Sequence, residues 1–228
     1  MDLSPPYAIN KTGLINLLGE SARHLQRLYG MEFTKIMVKS AVEFEAKMTG
    51  DDHPPDAVTI QECKEYVTDG LQKYPDGFAS IIYGIYKAES AIEGQADSMV
   101  RSAIRSGVLE MRYSMNKWLN GTEITSTTLG YRLLLQRAEK AGLLVGEPTI
   151  NGDEKSVTVN YGRCHIADAC RAILQEGIRR PDGSSECTLA RSGSEGLKNL
   201  TGITHDFEVI EFNPPACRFR IFKLQRLG

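Results

Sequence analysis

Four of the five cysteines in this 228-residue chain stand between positions 164 and 217. The stretch "CHIADAC" sets Cys164 and His165 just before a predicted helix and Cys170 inside it, and Cys187 and Cys217 follow at wider spacing. A thiolate is both a nucleophile and a soft-metal ligand, and a place at a helix N-terminus favours that form. Some of Cys164, His165, Cys170, Cys187 and Cys217 would therefore suit zinc or another soft metal. The sequence has no Cys-x-x-Cys half-site, and the competing reading is that these are small buried side chains. A third use is a thiol nucleophile beside an imidazole, with Cys164 and His205 as the pairing. The sequence contains no Ser-His-Asp signature, Walker loop or Gly-x-Gly-x-x-Gly.

The elements that must position these thiols are legible from spacing. Cys217, Phe219 and Ile221 alternate with Arg218 and Arg220, so a strand sends the cysteine to the same buried face as the two apolar residues. On its partner strand Phe207 and Val209 share a face, whereas Ile210 and Phe212 fall at mixed parity; a bulge or two covered faces would explain this. "LARSGSEGLKNLTG" predicts a helix whose glycines allow close packing. "LLVGEPTI" and "KSVTVNYG" predict a hairpin around "NGDE". Helices are expected over "TTLGYRLLLQRAEKAGL" and "HIADACRAILQEGI".

The first half is helical by pattern. Leu14, Leu17, Leu18, Ala22, Leu25 and Leu28 recur at spacings of three and four up to Gly30, a stop signal. Phe33, Ile36, Met37, Ala41, Phe44 and Met48 repeat the pattern. Pro54-Pro55 breaks the chain, Thr59 and Glu62 form a capping box, and Pro75-Asp76-Gly77 is a turn. Two further helices follow, over "FASIIYGIYKAESAIEG" and "ADSMVRSAIRSGVLEMRYSMNKWL". The division is a helical region over 1–121, with apolar faces suited to a homodimer, and an α+β region over 122–228 in which helices cover an antiparallel sheet.

Composition narrows the function. With 41% hydrophobic and 25% charged residues the chain is an ordinary globular one. A net charge of −2 and a pI near 6.1 disfavour general nucleic-acid binding. No apolar run approaches the roughly 18 residues of a membrane helix. The N-terminal "MDLSPPYAINKTG" does not read as a secretory signal, so a cytoplasmic location with reduced thiols is expected.

The C-terminal stretch "SECTLARSGSEGLKNLTGITHDFEVIEFNPPACRFRI" resembles the end of the 4-vinyl reductase, or hydrocarbon-binding, domain. The matching positions are Cys187, Gly193 and Gly196, Leu200-Thr201-Gly202, Phe207-Glu208-Val209 and Cys217-Arg218-Phe219. The segment "LLLQRAEKAGLLVGEPTINGDEKSVTVNYGRCHIADAC" is similar to the family's upstream part, so the resemblance covers residues 122–224. A further cysteine that many members carry shortly before the last one is missing from "EVIEFNPPAC". The resemblance implies an α+β fold shared with transport-particle subunits and haem-based nitric-oxide sensors, with an apolar pocket for a small hydrophobic molecule. Phe78, Tyr83, Tyr86, Tyr113 and Trp118 are the aromatic candidates for its wall. Binding or sensing is expected ahead of catalysis. Two alternatives stand beside it. One is a winged-helix DNA-binding regulator over 122–161, with Arg132, Arg137 and Lys140 at phosphates and Lys155 at the tip of the wing. The other is a thiol- or zinc-dependent hydrolase of a branch related to aminothiazoline-carboxylate hydrolases.

Overall fold

A computed structural model describes residues 10–94 and 123–224. Ten elements follow one another: α1 (Lys11–Thr49), α2 (Ile60–Gly70), α3 (Phe78–Glu93), α4 (Thr127–Lys140), β1 (Gly146–Gly152), β2 (Ser156–Cys164), α5 (Ala167–Gln175), α6 (Thr188–Thr201), β3 (His205–Asn213) and β4 (Ala216–Lys223). The predicted helix over 96–119 lies outside the described residues.

Gly30 shapes α1 without ending it. Its φ of 78° and ψ of −166° put a kink in one long element, a backbone that glycine adopts at little steric cost. Beyond the kink, α1 runs against α3, and Gly84 is the crossing point: a Cβ there would lie 2.4 Å from the Met37 carbonyl oxygen. The glycine that weakens α3 locally is thus the one that lets the two helices touch. The capping box at α2 is complete, with the Thr59 hydroxyl accepting from the Glu62 N–H and the Glu62 carboxylate accepting from the Thr59 N–H.

The four strands form an antiparallel sheet in the order β1-β2-β4-β3. Val157, Val159, Tyr161, Cys217, Phe219, Ile221 and Phe207 are buried on one face. The other face carries exposed charges, including the pairs Arg218–Glu211 and Arg220–Glu208. The mixed parity of β3 is resolved by a bulge between Val209 and Glu211. Ile210 is exposed there, and Phe212 returns to the inner side with Val209 to pack on the core. The hairpin that reads as a DNA-binding wing is instead half of this sheet, with β2 locked between β1 and β4.

Helix α6 covers the sheet, and α4 packs on α6. The contact is close because glycines stand at it. A Cβ on Gly193 would meet the Tyr131 ring at 2.6 Å and Ile221 at 2.7 Å, and one on Gly196 would meet Leu134 at 2.8 Å. Gly130 of α4 likewise faces Leu197. The helical half joins the sheet half through α3 and α5. Tyr83 and Lys87 of α3 both bond Glu176 just beyond α5. One continuous hydrophobic core runs from Leu14 to Ile221.

Candidate functional site

All four late cysteines reach one chamber. Its wall is made by Cys164 and Ile166 from the end of β2 and the turn after it, Cys170 and Leu174 from α5, and Ser185, Glu186 and Cys187 ahead of α6. Val209 and Phe212 of β3 and Cys217 and Phe219 of β4 complete it. About 10 Å³ is open to the centre of a water-sized molecule, close to the least that holds one water. The lining is almost entirely carbon and sulfur.

Local structure explains the convergence. Cys170 and Leu174 are four residues apart on α5 and share a face. Cys164 precedes that helix and is turned inward, its N–H held by the Pro215 carbonyl at 2.8 Å. Cys217 stands opposite Tyr161 in the β2–β4 ladder and alternates inward with Phe219 and Ile221. Cys187 is the residue before α6, in extended backbone, and its side chain makes no cap hydrogen bond.

The thiols differ in acidity. Burial pushes Cys187 up to about 12, with the neighbouring Cys217 adding to it and the start of α6 opposing it. Burial also raises Cys170, with the neighbouring Cys187 and Cys217 adding to it. Cys164 and Cys217 act on each other: that interaction together with burial raises Cys164, and the same interaction lowers Cys217. The fifth cysteine, Cys63 of α2, lies apart, and burial raises it to about 12.

Polar groups back the chamber on two sides. Glu186 and Arg191 form a buried ion pair at 2.5 and 2.9 Å. The Arg191 guanidinium also lies 5.1 Å over the Phe207 ring. The Tyr86 hydroxyl lies 2.9 Å from that of Thr188 and 3.4 Å from Glu186. On the other side burial raises the Tyr131 and Tyr161 phenols, and the neighbouring Cys164 and Cys187 add to it in both.

His165 is not among the thiols. Its Nδ1 lies 2.8 Å from the Asp76 carboxylate, which ties the start of α5 to the turn before α3. Among the described residues no three His, Cys, Asp or Glu side chains are placed to hold one metal ion. The set Cys164, His165, Cys170, Cys187 and Cys217 is not brought together as one group, because the His165 imidazole is turned to Asp76. The pairing of Cys164 with His205 is not formed either. His205 opposes Lys223 at the far end of the sheet and is held by Thr127 and the Ile203 carbonyl.

The described aromatic candidates Phe78, Tyr83 and Tyr86 are not among the residues of the chamber wall. Phe78 is a fully buried core residue at the start of α3. Tyr83 stacks on Phe44 with centroids 4.6 Å apart and bonds Glu176. Tyr86 comes nearest, through Glu186. Tyr113 and Trp118 lie outside the described residues. Sequence reasoning misses Tyr131, Tyr161, Glu186 and Arg191. Glu186 has a signal, being adjacent to Cys187; the two tyrosines have none, because only the fold brings α4 over β2.

No family model matches the chain, and no curated protein matches it. Solved structures do. An Fe(II) unliganded H-NOX protein from K. algicida aligns over 94% of this chain and 98% of its own, at 10% identity and a TM-score of 0.49. A point mutant of the T. tengcongensis H-NOX aligns over 93% and 98%, at 12% identity and 0.40. An oxygen-binding H-NOX domain related to soluble guanylate cyclases aligns over 96% and 97%, at 11% and 0.39. A likeness of this degree concerns the course of the chain and assigns no ligand. No helix among the described residues is long and apolar enough to cross a membrane.

Proposed function

We propose that this protein is a small-molecule binding or sensing protein of the 4-vinyl reductase type, and that its ligand site is the four-cysteine chamber. One observation carries the reading: thiols from β2, α5, the α6 cap and β4 meet at a single apolar space in the interior. A core needs no such gathering, because isolated buried thiols pack equally well apart. The lining favours an apolar guest, and the chamber is sized for one of a few atoms. The half-buried Leu174, Ser185, Val209 and Phe212 form its more accessible side, and their movement would admit a larger one.

A haem, present among the H-NOX neighbours, does not fit the described residues. The chamber is far below the roughly 300 Å³ at which ligand pockets begin. None of the four histidines lines it. The reading therefore uses the thiols and apolar side chains alone.

Native mass spectrometry of the purified chain tests the proposal. The expected result is an added small-molecule mass that is lost in Val209→Phe, where a ring enters the chamber from a half-buried edge position. No added mass from cell-derived protein, together with no uptake of ethylene by apo protein, would refute it. Retained ligand in Val209→Phe would place the site elsewhere.

A further inference from the structure

We infer that the β-bulge of β3 is the portal through which a small apolar molecule reaches the four-cysteine chamber, and that Phe212 sets the size of guest it passes. The inference rests on the chamber being the ligand site, as the proposed function has it, but the portal itself can be tested with no ligand bound.

Three observations carry it. First, the bulge lies between two residue pairs that both line the chamber. Val209 opposes Phe219 and Phe212 opposes Cys217, and all four are in its wall. Between these pairs Glu211 opposes Arg218 and Ile210 is left out of the register. A bulge leaves its extra residue unpaired and disrupts the ladder locally. Second, the extra residue adds little to the core. Ile210 is 45% exposed. Without it Val209 would point inward, Glu211 outward and Phe212 inward, which is the alternation of a regular strand. The packing of β3 therefore does not require the bulge. Third, the strand can open here. β3 is an edge strand, and β4 is its one hydrogen-bonded neighbour in the sheet. Arg180 fixes its start, donating to the Phe207 carbonyl and to the Asp206 carboxylate at 2.8 Å each. The turn at its other end is tied to β2 by the Cys164 N–H to Pro215 carbonyl bond. Residues 208–212 lie between these anchors. Their ion pairs to β4, Glu208–Arg220 and Glu211–Arg218, are exposed and add little.

The other half-buried residues of the wall are held more firmly. Leu174 belongs to α5, and its carbonyl accepts from the Arg179 guanidinium at 3.0 Å. Ser185 adjoins Glu186, which Arg191 holds in a buried ion pair. The bulge is thus the weakest part of the wall, and Phe212 is the larger of the two side chains that flank it on the inner side. With its ring in place the chamber has room for a guest of a few atoms, a short hydrocarbon gas rather than a ring. Phe212→Ala vacates the space of one benzene ring, and apolar protein cavities of that kind stay dry and bind benzene.

The test labels the thiols of the full chain with methyl methanethiosulfonate, a small neutral reagent, at one pH and in low urea. Peptide mapping reads each cysteine, and Cys63, buried outside the chamber, is the control. In the wild type the four chamber thiols should label faster than Cys63, at rates that low urea leaves unchanged, because a local opening exposes little surface. Deleting Ile210 should slow these four by at least about tenfold and leave Cys63 unaltered, since it closes the ladder. Phe212→Ala should speed them by at least about tenfold, and should take up benzene, which the wild type excludes. Chamber labelling that rises with urea in step with Cys63, or that deletion of Ile210 leaves unchanged, would overturn the portal. Benzene uptake by the wild type, or none by Phe212→Ala, would overturn the size limit. If the deletion fails to fold, the urea dependence of the wild type and the Phe212→Ala rates still decide. Ethylene uptake without the expected labelling defeats this inference and leaves the binding proposal standing, and the expected labelling in a chain that takes up no ethylene does the reverse.

Discussion

Glu45 of α1 offers a sharp test of how the helical half is built. Its side chain is fully buried, with Oε2 accepting from the Ser80 hydroxyl at 2.6 Å and Oε1 making no hydrogen bond among the described residues. The space for it is left by glycine. A Cβ on Gly70 would lie 2.3 Å from Oε1, and one on Gly77 would lie 3.1 Å from Oε2. Burial outweighs the Ser80 bond and raises the carboxyl from 4.5 to about 7. Ionising it therefore costs the folded state about 3 kcal/mol more than it costs the unfolded chain, at about 1.36 kcal/mol per pH unit. The sign follows. Between pH 4.5 and about 7 the folded state holds more protons than the unfolded one, so stability falls as pH rises through that window and levels off above it. Glu45→Gln removes the titration. The amide adds an N–H without an acceptor, at a cost of about 1–2 kcal/mol that is the same at every pH. Urea unfolding of both proteins at about pH 4.5 and about pH 8 measures the difference, and other titrating groups cancel between them. Glu45→Gln should gain about 3 kcal/mol on the wild type between the two pH values. Parallel curves for the two proteins would refute the reasoning.

Further expectations concern the sheet half and the caps. Arg191→Met leaves Glu186 buried beside the chamber without its cation and should cost about 3–5 kcal/mol in urea unfolding, with Glu186→Gln in the same chain restoring a large part. Gly193→Ala forces a methyl against Tyr131 and Ile221 and should cost about 1–3 kcal/mol; an unchanged midpoint would mean that α4 and α6 are not in close contact. Thr59→Ala breaks the α2 capping box and should cost about 1 kcal/mol. His205 is lowered mainly by burial, so its contribution is present above about pH 6.5 and is lost as pH falls below it; an NMR titration placing its pKa at or above that value would contradict the burial seen here.

What can be read from the sequence is whatever depends on neighbours along the chain. The alternation of Cys217, Phe219 and Ile221 marks the inner face of β4, and the broken parity at Ile210 marks the bulge. The Thr59–Glu62 spacing marks the α2 cap. The stop expected at Gly30 is instead a kink, because a positive φ bends a helix as readily as it ends one. The chamber is half legible. Its cysteines can be named, but the ladder that turns Cys217 inward opposite Tyr161 and the glycine contact that seats Tyr131 on α6 are long-range. For the same reason His165 groups with the thiols by sequence, although its partner Asp76 lies in the other half of the chain. Phe78 and Tyr83 have the composition of a pocket wall and the surroundings of a core.

The central claim is that four thiols face one apolar space from which the fifth is excluded. Dissolved molecular oxygen is apolar, diatomic and paramagnetic, and enters apolar cavities. Its effect on cysteine ¹³Cβ relaxation under oxygen pressure therefore tests the claim directly. The expected result is a common enhancement at Cys164, Cys170, Cys187 and Cys217, about threefold or more above that at the equally buried Cys63, and abolished by Val209→Phe. Equal enhancement at all five cysteines, or unrelated values among the four, would contradict it.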